Sequence, residues 1–587
     1  MKRLHGASIT LAILAAARTT PAAVDFVDQD LSVDLATDPA TVTIRATVHV
    51  SVTTDSTQIQ LLEPAAPLVS VEWDGTPLTV EPHSGWVGVV FPSTVTAGTE
   101  GTLTAVMSGA IECPYPGGYE TCVRSATLTF LTPPWAGGSW YLINVEGPDY
   151  DTHTGSIEIL QPTGHRAAAM GVVPAVVDNG DGTSTWTFAF DRQVVDLAFV
   201  AGELEEVTAA SGGFPVRGLY RGDTYVRDLM QGIVDSGSLI APVFGDLWGE
   251  PPVEEIQYST FSGSTPFAGT SLQGLILLHE MIFTPTYSYI IPEVSHELAH
   301  LWWGTMSSAA SETEFGFFAE SMAEYSMWRA RGMLEGESVR DSGSRMNAVW
   351  YMYGRPSPTS DTRVLSRLGT EIAIFAIYHK GSTVVRTLEE AAGADGLDAG
   401  LSAMIEAGPD GASIAGFEAA VLEASGVDLA PYVDVWLRGL GFPIVTLSPS
   451  IAETSTGYSV TVSASGDDFP MPLPVVARLA DGTTVEGTLG YFSGAGEVSL
   501  ETSARPAVVE VDPGWTAVRE LAPSADGDVS LDGRVDGADL IEVALRAGGF
   551  MPDERRVDGG YDPLYDLDDD GVIGEFDLDA VVSRASE

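Results

Sequence analysis

His296-Glu297-Leu298-Ala299-His300 is the stretch that decides the reading of this chain. Residues four apart share one face of a helix, so both imidazoles of this H-E-x-x-H can reach a single ion. Two imidazoles plus a carboxylate, with one position left for water, suit zinc. Glu297 then stands where it can take a proton from the attacking water. A third ligand is needed. The helical stretch Phe317-Phe318-Ala319-Glu320-Ser321-Met322-Ala323-Glu324-Tyr325 offers two, Glu320 and, one turn later, Glu324.

Outward from this helix, periodicity divides the chain. Ile291–Met306, Phe318–Arg331, Ile372–Ala391 and Ile414–Ala424 carry the helical repeat. Before them, short alternating runs such as Thr41 to Val48, and Ser184, Trp186, Phe188 and Phe190, predict strands. Strand patterning returns after Pro443, at Tyr458, Val460 and Val462 and at Val508 to Val511. The expected fold class is multidomain α+β. Residues 24–205 read as an N-terminal β-sandwich and 206–440 as a mainly helical catalytic domain. Residues 441–521 read as a smaller β-sandwich and 522–587 as a compact acidic module.

Of the 587 residues, 81 are Asp or Glu and 28 are Lys or Arg, a formal charge of −53. Such a surface repels phosphate backbones and anionic lipid, which argues against nucleic-acid and electrostatic membrane binding, and it suits bound cations. Lys2, Arg3 and His5 precede an apolar run from Ala7 to Ala17, with small residues as cleavage options at Ala17 and Ala22. This predicts a signal peptide over 1–23 and a secreted or cell-surface protein. The run is shorter than the roughly 20 residues a membrane span needs, and no later segment is apolar enough. The two cysteines, Cys113 and Cys122, flank a Pro/Gly-rich loop, so an exported chain should pair them in a local disulfide.

The residues His296 to Gly304 resemble the signature of the aminopeptidase N-type zinc peptidases, the gluzincins. Glu320-Ser321-Met322-Ala323-Glu324-Tyr325 is similar to that family's second signature, which makes Glu320 the third zinc ligand. The spacing from His300 is one residue longer than usual, which implies a bulge between the two helices. Tyr378-His379-Lys380-Gly381 resembles the family's Y-x-K-G, whose tyrosine hydroxyl polarises the scissile carbonyl, a role that falls to Tyr378. Lys380 is the one lysine beyond Lys2. Trp436 to Pro443 is similar to the family's junction into a β-sandwich. The resemblance spans about Val24 to Pro523 and implies a thermolysin-like catalytic domain. It departs in two respects that bear on substrate. Many members carry a large C-terminal helical domain over the active site, for which there is no room between Pro513 and Asp528, so a more open cleft is expected. The glutamate that binds a free α-amino group in the family is replaced here by Ser271, in Ala268-Gly269-Thr270-Ser271-Leu272. A neutral hydroxyl cannot form the ion pair that offsets burying an ammonium. Glu280 and Glu293 are the alternative carboxylates, and no spacing argument selects either.

The acidic module carries a duplicated loop. Asp528, Ser530, Asp532, Asp536 and Asp539 fall at positions 1, 3, 5, 9 and 12 of a calcium loop, with the Arg534 carbonyl at 7 and Gly533 at the sharp turn. Asp566, Asp568, Asp570, the Val572 carbonyl and Asp577 repeat the scheme, with a water implied at Gly574. Apolar helical stretches follow each loop. Asp at position 12, with duplication, resembles a type I dockerin, an EF-hand-like module that folds on calcium and docks on cohesins.

The expected function is thus a secreted zinc metallopeptidase acting on peptides or proteins without strict need for a free N-terminus. Zinc and calcium are its implied cofactors, and a cohesin-like protein is its implied docking partner. An aminopeptidase with another amine anchor, or a non-catalytic assembly protein, is the alternative.

Overall fold

The computed structural model describes residues 23–585 apart from 116–118, 121, 133–137, 146–152, 172–173, 195, 211–212, 264–267, 286, 288, 310, 355–360, 369–370, 409–410, 524–527, 533, 536, 549–561 and 568–571. The predicted signal segment therefore lies outside the described residues, except for Ala23. The architecture is α+β, and the chain divides into two compact units, one ending at Thr305 and the other beginning at Met306. No described helix is long and apolar enough to cross a membrane.

In the first unit, alternation of apolar and polar residues builds an eight-stranded sheet around Val24–Asp34, Val42–Val52 and His153–Pro162. Val42, Ile44, Ala46, Val48, Val50 and Val52 are each 1% exposed or less, so a one-residue slip would turn the whole set to solvent. Ser184, Trp186, Phe188 and Phe190 are buried as their spacing predicts, on the strand Thr183–Val194. Cys113 and Cys122 form the expected disulfide, their Cα atoms 5.3 Å apart.

A second sheet follows, ordered Glu205–Thr208, Val216–Tyr220, Ile256–Phe261, Leu275–His279 and Gly269–Leu272. Its three middle strands are parallel and apolar along most of their length, as strands covered on both faces are. Helix α1 (Thr224–Trp248) makes the crossover, its first turn capped by the Asp223 carboxylate accepting from the Tyr225 and Val226 N–H groups. The strand Gly269–Leu272 is an antiparallel edge, with Gly269 opposite Leu278 and Ser271 opposite Ile276. Helix α2 (Ile290–Ala299), which carries the H-E-x-x-H, packs on α1 and on this edge strand.

The second unit begins with helices. Helix α3 (Glu312–Gly316) runs through a π turn, Phe317–Ser321, into α4 (Met322–Glu335), followed by α5 (Glu337–Tyr353). Helix α6 (Glu371–Ile374) runs through a second π turn, Phe375–Lys380, into α7 (Gly381–Ala392). Helices α8 (Ala394–Glu406), α9 (Ile414–Ser425) and α10 (Ala430–Trp436) complete the bundle. A four-stranded and a three-stranded sheet then form a sandwich over 444–523, burying Val460, Val462, Leu473, Val475 and Tyr491. Helices α11 (Gly537–Arg546) and α12 (Glu575–Ala585) close the chain, each placed after one of the two acidic loops.

Three helices differ from expectation. The helix predicted over Ile291–Met306 stops at Ala299, where tighter i→i+3 bonds take over, Leu301 N–H to the Leu298 carbonyl and Trp302 N–H to the Ala299 carbonyl, and Gly304 at φ 92° then turns the chain away. The stretches Phe318–Arg331 and Ile372–Ala391 are each broken by a π turn, where i→i+5 bonding accommodates one extra residue without ending the helix.

Candidate metal centre

Helix α2 sets the first two donors. The Nε2 atoms of His296 and His300 approach to 3.2 Å with the rings nearly perpendicular, so both aim at one point. After α2 ends, the chain turns back and the Trp303 carbonyl meets His300 Nδ1 at 3.0 Å. A carbonyl only accepts, so Nδ1 carries the proton and Nε2 keeps its lone pair for a cation. Trp302 and Trp303, buried completely, brace that turn, with the Trp302 indole donating to the Gly249 carbonyl at 2.9 Å.

Glu320 supplies the third donor. Ligand atoms of His296, His300 and Glu320 all lie within 4.8 Å of one another, and all three residues are buried. That grouping is compact, and the set of two imidazoles and one carboxylate is one that zinc accepts. The residues thus fit a single divalent ion. Glu320 sits in the π turn Phe317–Ser321, so a widened turn lies inside the helical stretch that carries Glu320, not between the two helices where the long spacing had suggested a bulge.

The two π turns are pinned together. Ser321, the residue after Glu320, donates its hydroxyl to the Ile377 carbonyl at 2.7 Å, and Ile377 precedes Tyr378. Gly381 makes this approach possible, since a Cβ there would stand 2.1 Å from Ser321 Oγ. Lys380 is fully buried. Its ammonium reaches the Gly439 carbonyl at 3.4 Å and lies over the rings of Tyr351 and Trp436, at 5.4 and 5.9 Å. The Y-x-K-G letters therefore have packing reasons: Lys ties the turn to α10 and its junction, and Gly allows contact with the turn of Glu320. Tyr378 itself is 7% exposed and packs with Ala373 and Ile377.

Glu324, the rival third ligand, is engaged elsewhere. Its Oε1 accepts from the Trp328 indole and the Asn347 amide, both at 3.1 Å. Asn347 also donates to Ser382 Oγ at 3.0 Å and meets His379 Nδ1 at 3.0 Å through its carbonyl oxygen. Glu324 thus helps orient the turn that bears Tyr378. Sequence reasoning missed Ser321 and Asn347, because no periodicity or spacing marks a hydrogen bond between segments 35 or 56 residues apart.

Glu297, the expected general base, is enclosed. Glu297 is fully buried, and a Cβ at Gly269 would stand 2.9 Å from Glu297 Cγ, so the edge strand runs directly against the base. Ser271 lies on the same strand and brings no charge. Glu280 is exposed, on the turn Glu280–Ile282, beside a surface cleft shared with Arg221. Glu293 is buried in the first turn of α2 and accepts from the Tyr287 hydroxyl at 3.3 Å. Burial pushes the Tyr287 phenol far up, and the Glu293 carboxylate beside it, with Glu297, pushes it further.

The acidic loops are described in part. Asp539 and Asp577, at position 12 of each loop, are both fully buried. Asp539 Oδ1 accepts from Ser530 N–H at 2.9 Å, and Asp577 Oδ1 accepts from Leu567 N–H at 2.6 Å, so each turns back on its own loop. Asp528 accepts from Asp532 N–H at 3.1 Å and from the Ser530 hydroxyl at 3.3 Å. The first loop is stitched to the sandwich by Val509 N–H to the Ser530 carbonyl and by Arg505 to the Asp532 carbonyl. Arg534 is exposed, Asp566 is buried, and Val572 is exposed. Asp536, Asp568 and Asp570 lie outside the described residues, as do the turn glycines Gly533 and Gly571.

No family model and no curated protein matches this sequence. Among solved structures, the chain is similar to Legionella pneumophila aminopeptidase A in complex with aspartic acid, with a TM-score of 0.65 and 14% sequence identity, over 89% of this chain and 61% of that one. At this identity the likeness speaks for the fold. The chain spans less than two thirds of that protein's length.

Proposed function

We propose that the chain is a zinc-dependent peptidase in which His296, His300 and Glu320 hold the ion. The observation that carries this reading is the convergence of those three buried donors, with the Glu297 carboxylate on the same helix. When bound, the ion supplies Lewis acidity to the attacking water and the scissile carbonyl. Glu297 takes a proton from the water and delivers it to the leaving amine. The Tyr378 hydroxyl, in the role its resemblance gives it, donates to the carbonyl oxygen as charge develops there. With Ser271 in place of the family's amine-binding glutamate, the reading does not require a free N-terminus. The fold shared with an aminopeptidase supports peptide substrates.

The same proposal places the protein outside the cytosol, consistent with the Cys113–Cys122 disulfide. It gives the C-terminal module two calcium ions and a dockerin-like role toward a cohesin-like partner. Support comes from the buried position-12 carboxylates, each folded back on its loop.

The test is the variant Glu297→Gln. It should bind one zinc per chain and lose roughly 10²- to 10⁴-fold in hydrolysis, the usual contribution of a positioned general base. Retained turnover would refute the mechanism. Zinc binding without hydrolysis of any peptide by the native protein would favour an assembly role instead.

A further inference from the structure

We infer that the cleft between Arg221 and Glu280 binds a small zwitterion, an amino acid or a dipeptide with an apolar side chain. Its lining shares no residue with the metal centre, and the inference goes beyond the peptidase reading. Three neighbouring parallel strands, Val216–Tyr220, Ile256–Phe261 and Leu275–His279, end at this cleft. Arg221 follows the first strand and Glu280 the third, while Thr260 and Ser262 stand at the end of the second. Open α/β sheets form their ligand crevices at this carboxyl edge, where the chain leaves neighbouring strands in different directions. The cleft holds about 420 Å³, within the roughly 300–1,000 Å³ of small-molecule sites.

Backbone contacts fix where the two charges stand. Arg221 N–H donates to the buried Thr260 hydroxyl at 3.2 Å, and Gly222, where a Cβ would stand 2.6 Å from Val226 Cγ2, lets the chain enter α1 closely. His279 Nδ1 accepts from Met281 N–H at 3.1 Å, so its Nε2 carries the proton and donates to the Gly263 carbonyl at 3.0 Å. This ties the turn of Glu280 to the loop after Ser262. The side chains themselves are uncommitted. Among the described residues, neither the Arg221 guanidinium nor the Glu280 carboxylate has a hydrogen bond or an ion pair, although both line one cleft. The start of α1 is no rival anion site, since the Asp223 carboxylate already accepts from the Tyr225 and Val226 N–H groups. A guanidinium takes a carboxylate and a carboxylate takes an ammonium, so one molecule bearing both groups satisfies the cleft with no net charge. Val226 and Phe283 add an apolar wall, which favours a hydrocarbon side chain on that molecule. Because both backbones are held in advance, binding orders only two side chains.

The experiment is a calorimetric titration of the zinc-loaded Glu297→Gln variant, so that a dipeptide outlasts the measurement, with leucine and with leucyl-leucine. The tighter of the two tells whether an amino acid or a dipeptide spans the charges. Blocking either end of it, as the C-terminal amide or the N-acetyl form, should weaken binding roughly 5- to 50-fold, between an exposed ion pair and a charge-assisted hydrogen bond. Arg221→Gln in the same background should bring the parent ligand down to the affinity of its amide, and Glu280→Gln to that of its acetyl form. Arg221→Lys should keep most of the binding, which separates loss of charge from loss of fold. This crossed pattern belongs to the cleft, because a zwitterion held at the metal centre is indifferent to Arg221. No saturable heat with either ligand, blocked forms that bind as tightly as the parent, or affinities unmoved by the Arg221 and Glu280 substitutions each overturn the inference. The peptidase reading is decided separately, by hydrolysis in the native protein and its loss in Glu297→Gln.

Discussion

Gly381→Ala tests whether the two π turns act as one unit. An added Cβ would stand 2.1 Å from Ser321 Oγ, 2.8 Å from Ser321 Cβ and 3.1 Å from Val364 Cγ1. The first two contacts are too short to persist, so the turns must separate. Separation costs overpacking strain of about 1–3 kcal/mol and the Ser321–Ile377 hydrogen bond, about 0.5–1.5 kcal/mol. The sum is roughly 2–4 kcal/mol, or a fall of about 4–16 °C in the melting of this unit. Activity should fall further than stability, because Glu320 and Tyr378 ride on the two turns. The assay is a double-mutant cycle with Ser321→Gly, read by thermal melting and by zinc stoichiometry. Ser321→Gly removes both colliding atoms, so the double variant should recover at least about 1 kcal/mol relative to the sum of the singles. Additive effects, or a Gly381→Ala variant within about 0.5 kcal/mol of the native protein, would refute the reasoning.

Gly269→Ala should push the Glu297 carboxylate out of line and cost roughly a hundredfold in kcat with zinc content unchanged, a result that activity assays and metal analysis decide together. His153 is buried against Gln29, and burial lowers its pKa from 6.5 to about 4. The unfolded chain therefore binds the extra proton across that window. Stability is full above about pH 6.5 and falls by about 3 kcal/mol as pH drops to 4. His153→Gln should flatten that slope in urea titrations of the first unit, and an unchanged slope would remove His153 as its source. Calcium at a hundred times its dissociation constant should stabilise the C-terminal helices by about 2.7 kcal/mol, and Asp577→Asn should reduce the gain. Superimposable melts with and without calcium would sink the loop assignment.

The helix bearing the H-E-x-x-H was legible because its signal is local. Two histidines four apart declare a common face. The end of the helix was less legible. Apolar periodicity runs on through Leu301, Trp302 and Trp303, and those residues are indeed buried, but in a turn rather than a helix. Glu320 and Glu324 could not be separated by periodicity, being one turn apart. Their difference lies in what surrounds them, since Trp328 and Asn347 occupy Glu324. In the β regions alternation identified the strands well, as at Val42 to Val52. It could not order them, because Val24–Asp34 pairs in parallel with a strand some 120 residues later, and no local pattern marks that partner.

The two π turns link these observations. A π turn places one more residue in a helix than the α repeat allows, so it is invisible to a search for the 3.6-residue period. It becomes visible in the chemistry. The extra residue between His300 and Glu320 reads as an anomaly in a signature, and the structure holds a widened turn at Glu320, inside the helical stretch rather than between the helices. The matching turn at Tyr378 meets it through Ser321 and Gly381, two small residues that periodicity treats as filler. Widened turns are less favourable than α geometry, and they persist here because the partner turn and the buried Lys380 hold them. The same contacts that set the position of Glu320 set that of the Tyr378 backbone. A change in either turn should therefore alter metal binding and hydrolysis together.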